Sequence, residues 1–108
     1  MEHAVKQFAE RMQYKLDKNK QKECVAMNSD LTGRKWDKCS FAWLLYRLRE
    51  ETLELENAIR SKSMNLQNVM DEAADVGNFA MMIHDNARTT DFLNKKAEIE
   101  DGVLINNH

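Results

Sequence analysis

The sequence predicts an all-α fold. Proline is absent from the 108 residues and glycine occurs only three times. Leu, Met, Ala, Glu, Lys and Gln, the good helix formers, dominate the composition. β-branched residues are sparse and never alternate with polar ones for long, so no strand pattern competes.

Apolar spacing places the elements in order. Val5, Phe8, Met12 and Leu16 recur at helical intervals and predict a first amphipathic helix over about 2–18. Residues 19–39 read as a polar loop holding Asn28-Ser29-Asp30 and Thr32-Gly33-Arg34-Lys35-Trp36, with some helix around Glu23 to Met27. Ser40 suits the N-cap of a second helix over about 40–62. Ser61-Lys62-Ser63-Met64-Asn65 reads as a connector, and a third helix is expected over about 66–88. Beyond Thr89-Thr90 a short helix or tail over 90–108 is expected. Two long helices with a short connector should pack as an antiparallel hairpin.

Length supports one domain over 1–108. Net charge is −2, from 16 basic and 18 acidic residues, which argues against a nucleic-acid binder held by bulk charge. The longest apolar run, Phe41 to Tyr46, is six residues, too short to span a membrane. The first residues show no basic segment followed by an apolar stretch, so no secretory signal is expected. Cys24 and Cys39 form no CxxC and read as reduced thiols of a cytoplasmic protein.

Carboxylates sit where leucines belong. With Glu51 as zero and about 100° per residue, Leu44, Leu48, Leu55, Ala58 and Ile59 all fall within roughly 80° of it. Glu54 lies about 60° to one flank, near Glu50 and Arg47. On the third helix Phe79, Met82, Ile83 and Val76 surround Asp75, with Glu72 about 60° to one side and Asn78 on the other. Each helix of the hairpin therefore carries an acid pair, three residues apart, on or beside its inward face. Such pairs are commonly solvated surface, but these lie within apolar arcs.

Ionised carboxylates withdrawn from water must be paired or bound to a cation. Four converging acids would raise one another's pKa until some took protons, a conflict that a divalent ion resolves. An oxygen-only donor set favours Mg²⁺, with Mn²⁺ as substitute. The Glu-x-x-His motif of di-iron bundles is absent. Mg²⁺ completes its shell with waters and substrate phosphates, so the pattern points toward a phosphorylated substrate such as a nucleotide.

The run Glu50-Glu51-Thr52-Leu53-Glu54, followed after seventeen residues by Glu72-Ala73-Ala74-Asp75, resembles the EExxE…ExxD signature of MazG-like nucleotide pyrophosphohydrolases, of the all-α NTP pyrophosphatase superfamily. The flanking Leu44-Leu45-Tyr46-Arg47-Leu48-Arg49 and Val76-Gly77-Asn78-Phe79-Ala80-Met81-Met82-Ile83 are similar too, especially to small phage and bacterial dATP/dGTP pyrophosphohydrolases. The resemblance covers Ser40 to Arg88. It implies a MazG-like helical bundle built on the hairpin and completed by oligomerisation, as a homodimer or homotetramer with both protomers lining one pocket. It implies cleavage of a nucleoside triphosphate, with a purine dNTP suggested, between the α and β phosphates to give monophosphate and pyrophosphate. Carried over by residue, the metal ligands are Glu51, Glu54, Glu72 and Asp75. Glu50 or Glu54 is expected to assist as base or to hold the attacking water.

Substrate contacts are expected from Asn78, which could equally be a helix-surface amide, and from Arg34, Lys35 and Lys38 around Trp36. There basic groups beside an indole suit phosphates and a stacked base, although Trp36 also suits plain packing. Trp43, outside the arc centred on Glu51, is expected against the first helix or a second subunit. His84, without a second histidine at ligand spacing, reads as surface. The third helix is apolar on more than one side, through Val69, Met70, Ala73, Ala74, Ala80 and Met81, and needs more neighbours than one hairpin supplies. A non-catalytic helical module that binds a nucleotide or a protein is the alternative.

Overall fold

The computed structural model describes residues 1–18 and 36–101, with side chains through residue 98. Among the described residues there are three helices and no strand: α1 (His3–Lys18), α2 (Phe41–Arg60) and α3 (Leu66–Asp101). The all-helical class follows the sequence. Most of the expected loop, including Arg34, Lys35 and the segment around Glu23 to Met27, lies outside the described residues.

Local chemistry sets the ends of α2. The Ser40 hydroxyl accepts from the Trp43 amide at 3.0 Å with Ser40 itself extended, so the expected cap is in place. At the other end Ser61 is extended and its hydroxyl accepts from the Ser63 amide at 3.2 Å. The connector then delivers Asn65, whose side-chain oxygen accepts from the Asn68 amide at 3.0 Å and caps α3.

One boundary needs correction. α3 does not stop near Arg88 but continues through Thr89-Thr90 to Asp101 as one helix of 36 residues. Threonine costs only about half a kcal/mol in a helix interior, and from Asn78 to Asp101 no glycine or proline interrupts the chain. Two such residues slow a helix pattern without ending it. The distal part is exposed, Phe92 and Leu93 included.

α2 and α3 run antiparallel, with Leu44 against Met82 and Glu51 beside Glu72 and Asp75. The apolar core centres on Cys39, Leu44 and Met82, with Leu16, Trp36, Trp43, Phe79, Met81 and Ile83 around it. Trp43 packs edge-on against Phe79 of α3, centroids 6.4 Å apart, in the cluster that Leu16 of α1 also joins. Its position on the border of the α2 arc is covered because the aromatic ring reaches across the helix pair. The expectation of reduced thiols is also corrected, since Cys39 is disulfide-bonded. The sequence has one other cysteine, Cys24, which lies outside the described residues.

α1 covers a second side of α3, where Ala74 is fully buried. Gly77 permits the approach: a Cβ there would stand 2.6 Å from the Phe8 ring and 3.4 Å from the Met12 sulfur. The Arg11 guanidinium donates to Asp71 at 2.7 Å and to Gln67 at 3.2 Å. The broad apolar surface of α3 is thereby met partly by the chain's own first helix. No helix among the described residues is long and apolar enough to cross a membrane.

Candidate metal centre

The antiparallel register lays the two acid-bearing turns side by side. Glu51, Glu72 and Asp75 each offer a carboxylate oxygen within 4.8 Å of the others. Glu51 is only 5% exposed and so lies as deep as the neighbouring core residues. Its carboxyl is pushed up to about 7, first by burial and then by the charge of Glu54, against the opposing pull of Arg47. Glu72 is raised by burial, then by Glu54 and Asp75. Burial also raises Asp75, while Lys15 works the other way. One oxygen of Glu72, Oε2, is buried with no hydrogen-bond partner. An orphaned buried carboxylate oxygen is costly unless a cation meets it.

Glu54 is exposed and stands outside the close group of three, yet its charge reaches all three members. Glu50 is half-buried and accepts from the Arg47 guanidinium, which also donates to Glu51 at 3.2 Å and lies 5.0 Å over the Phe79 ring. Arg47 therefore ties the Glu50 and Glu51 carboxylates to the apolar core. On the opposite flank the Lys15 ammonium reaches Asp75 at 3.5 Å from α1.

Of the expected substrate contacts, Asn78 is 3% exposed and donates through Nδ2 to the Met12 carbonyl at 3.0 Å, fastening α1 to α3. Its Oδ1 is buried without a hydrogen-bond partner. The Trp36 indole donates to Asp85 at 2.9 Å and its carbonyl accepts from Asn86 at 2.8 Å, at the core end of α3. Lys38 is exposed in the turn before α2, and His84 is exposed as expected. The structure thus gathers Glu51, Glu72 and Asp75, with Glu50 and Glu54 at the edge, and places Trp36 at the other end of the helix pair.

Sequence reasoning missed Lys15 and the pair Arg11–Asp71. Lys15 follows Phe8 by seven residues and so shares the apolar stripe of α1. The misplaced charge that singled out Glu51 was present there too.

Comparison with models of known families, with curated proteins and with solved structures gives no match. The chemistry of the centre must carry the functional reading.

Three carboxylates with oxygens within 4.8 Å of one another and an oxygen-only donor set fit a hard divalent cation. The orphaned Glu72 oxygen and the elevated carboxyl of Glu51 mark the same need for positive charge. Glu51, Glu72 and Asp75 would be the ligands, with Glu54 able to join from the rim.

Proposed function

We propose that this protein is a Mg²⁺-dependent nucleoside triphosphate pyrophosphohydrolase, with Mn²⁺ as substitute, of the MazG-like type that its EExxE…ExxD pattern resembles. The observation that carries the reading is the convergence of Glu51, Glu72 and Asp75 from two helices, their carboxylate oxygens within 4.8 Å of one another. A structural cluster would be expected to have its charges balanced by neighbouring cations. Here burial is the largest cause that holds all three carboxyls above their ordinary range, and the charge of Glu54 adds to it at each.

Bound Mg²⁺ supplies charge neutralisation for phosphate oxygens and lowers the pKa of a nearby water. The chain's residues supply the rest. Glu51, Glu72 and Asp75 fix the centre on two rigid helices. Glu54, at the solvent edge, would hold the attacking water and receive its proton. Water adds to the α phosphorus and the bond from that phosphorus to the α–β bridging oxygen breaks. Pyrophosphate departs with that oxygen, and the proton passes through the carboxylate to solvent. Arg47, shared between the Glu50 and Glu51 carboxylates, would orient Glu51.

A homo-oligomer belongs to the same reading. Phe41, Leu45 and Ile59 leave an exposed apolar line along α2 that a second copy would cover. Its partner surface would also narrow the open centre around the nucleotide. A purine dNTP is the substrate that the motif resemblance favours.

Product analysis tests the reaction. With Mg²⁺, anion exchange should resolve monophosphate and pyrophosphate from one or more of the common NTPs and dNTPs, and EDTA should abolish both products. Diphosphate with orthophosphate would place cleavage at the wrong bond. Absence of turnover, with stability indifferent to Mg²⁺, would favour a helical interaction module.

A further inference from the structure

The reaction above uses the carboxylates and leaves Lys15 without a role. Its position is unusual for a lysine. The side chain comes from the last turn of α1, is 8% exposed, and ends 3.5 Å from Asp75 Oδ2. Lysines are rarely buried to this degree unless closely paired, and 3.5 Å is a loose pairing for an ammonium and a carboxylate. Arg47, a second cation of the centre among the described residues, is differently held. It bonds two carboxylates and lies over an aromatic ring, so its guanidinium is committed.

A nucleotide entering this centre brings several negative charges toward carboxylates that repel them. A divalent ion answers part of that repulsion, and the fixed cations at the rim must answer the remainder. Lys15 can do so because its one ion pair among the described residues is with a carboxylate that a divalent ion would claim. An ammonium on a flexible four-carbon stem can turn to a new acceptor while its stem stays packed.

Resting on the proposed reaction, we propose that Lys15 is a substrate-binding residue whose ammonium leaves Asp75 for a non-bridging phosphate oxygen once that carboxylate is engaged by a divalent ion. α1 thereby contributes to the centre as a third wall as well as a cover for α3. The ligand class is a metal-complexed pyrophosphate or polyphosphate group.

The test uses calorimetric titration of the full chain with Mg²⁺ alone and then with inorganic pyrophosphate in saturating Mg²⁺. Lys15→Met keeps the stem and removes the charge, and Lys15→Arg keeps the charge. In Lys15→Met, Mg²⁺ affinity should be equal or higher, because a competing cation is gone, while pyrophosphate affinity should fall about tenfold or more. Lys15→Arg should recover a large part of that loss. Pyrophosphate binding within twofold of wild type in Lys15→Met would overturn the proposal. So would weakened Mg²⁺ binding in Lys15→Met or, should Lys15→Met misfold, pyrophosphate affinity within twofold of wild type in a folded Lys15→Gln. Wild-type protein that binds Mg²⁺ and pyrophosphate in a Lys15-dependent way but hydrolyses no nucleotide would remove the proposed reaction and leave the Lys15 contact standing.

Discussion

Leu44 and Glu51 stand seven residues apart on one face of α2, and Met82 and Asp75 stand seven apart on the facing side of α3. Both steps lead from the apolar end of the helix pair to the acid end. Leu44 and Glu51 are almost equally buried, at 0% and 5% exposure. At the first end Leu44 meets Met82, Trp43 meets Phe79, and the polar groups that enter are satisfied, as in the Trp36 indole on Asp85. At the second end the same helical geometry presents carboxylate to carboxylate, with an orphaned oxygen on Glu72. Equal burial with opposite chemistry teaches that the backbone packing is secured at one end so that an unfavourable charge group can be tolerated at the other. On the proposed reading a divalent cation would relieve that repulsion.

The largest effects should separate the ends by readout. Asp75→Asn should lower turnover on the order of a thousandfold, about 4 kcal/mol in the barrier, while leaving the circular dichroism spectrum helical. Leu44→Ala should instead destabilise the fold by about 3 kcal/mol in urea denaturation through the cavity it leaves. Loss of stability in Asp75→Asn comparable with that in Leu44→Ala would dissolve the distinction.

A pH experiment sharpens it. The raised carboxyls mean that the folded chain binds protons more tightly than the unfolded chain. For Glu51 the stability is highest below its unfolded value of 4.5 and falls until the folded value of about 7 has been passed. In EDTA the unfolding free energy should drop on the order of 2 kcal/mol between about pH 5 and about pH 8. Glu51→Gln should flatten most of that slope, as followed by denaturant midpoints at several pH values. At the apolar end, Trp36→Phe should cost about 1 kcal/mol by removing the indole bond to Asp85, with no change in the slope. An altered slope would mean that the two ends are electrostatically joined.

The acid end was legible because charge in an apolar arc is conspicuous on a helical wheel. Glu51 and Asp75 announced both the inward faces and the candidate centre from spacing alone, and the Ser40 cap marked where the arc begins. Other features depend on distances that spacing does not encode. Trp43 found Phe79 because a large ring reaches beyond its own arc. α3 ran on through Thr89-Thr90 because a modest propensity cost does not end a helix that lacks a breaker. The side of α3 taken by α1 depended on Gly77, whose missing Cβ admits the Phe8 ring. Lys15 was available to the same wheel as Glu51, but a lysine at a stripe's edge is ordinarily read as snorkelling outward. Only the carboxylate across the interface reveals where its ammonium ends.

The central claim is that the acid end is built for a divalent cation. Thermal unfolding at about pH 8, in EDTA and in millimolar Mg²⁺, tests it most directly, with Asp75→Asn melted alongside. Saturating Mg²⁺ should raise the midpoint of the wild-type chain by about 5 °C or more and leave that of Asp75→Asn nearly unmoved. Identical wild-type midpoints in Mg²⁺ and EDTA, or an equal rise in the variant, would contradict the claim.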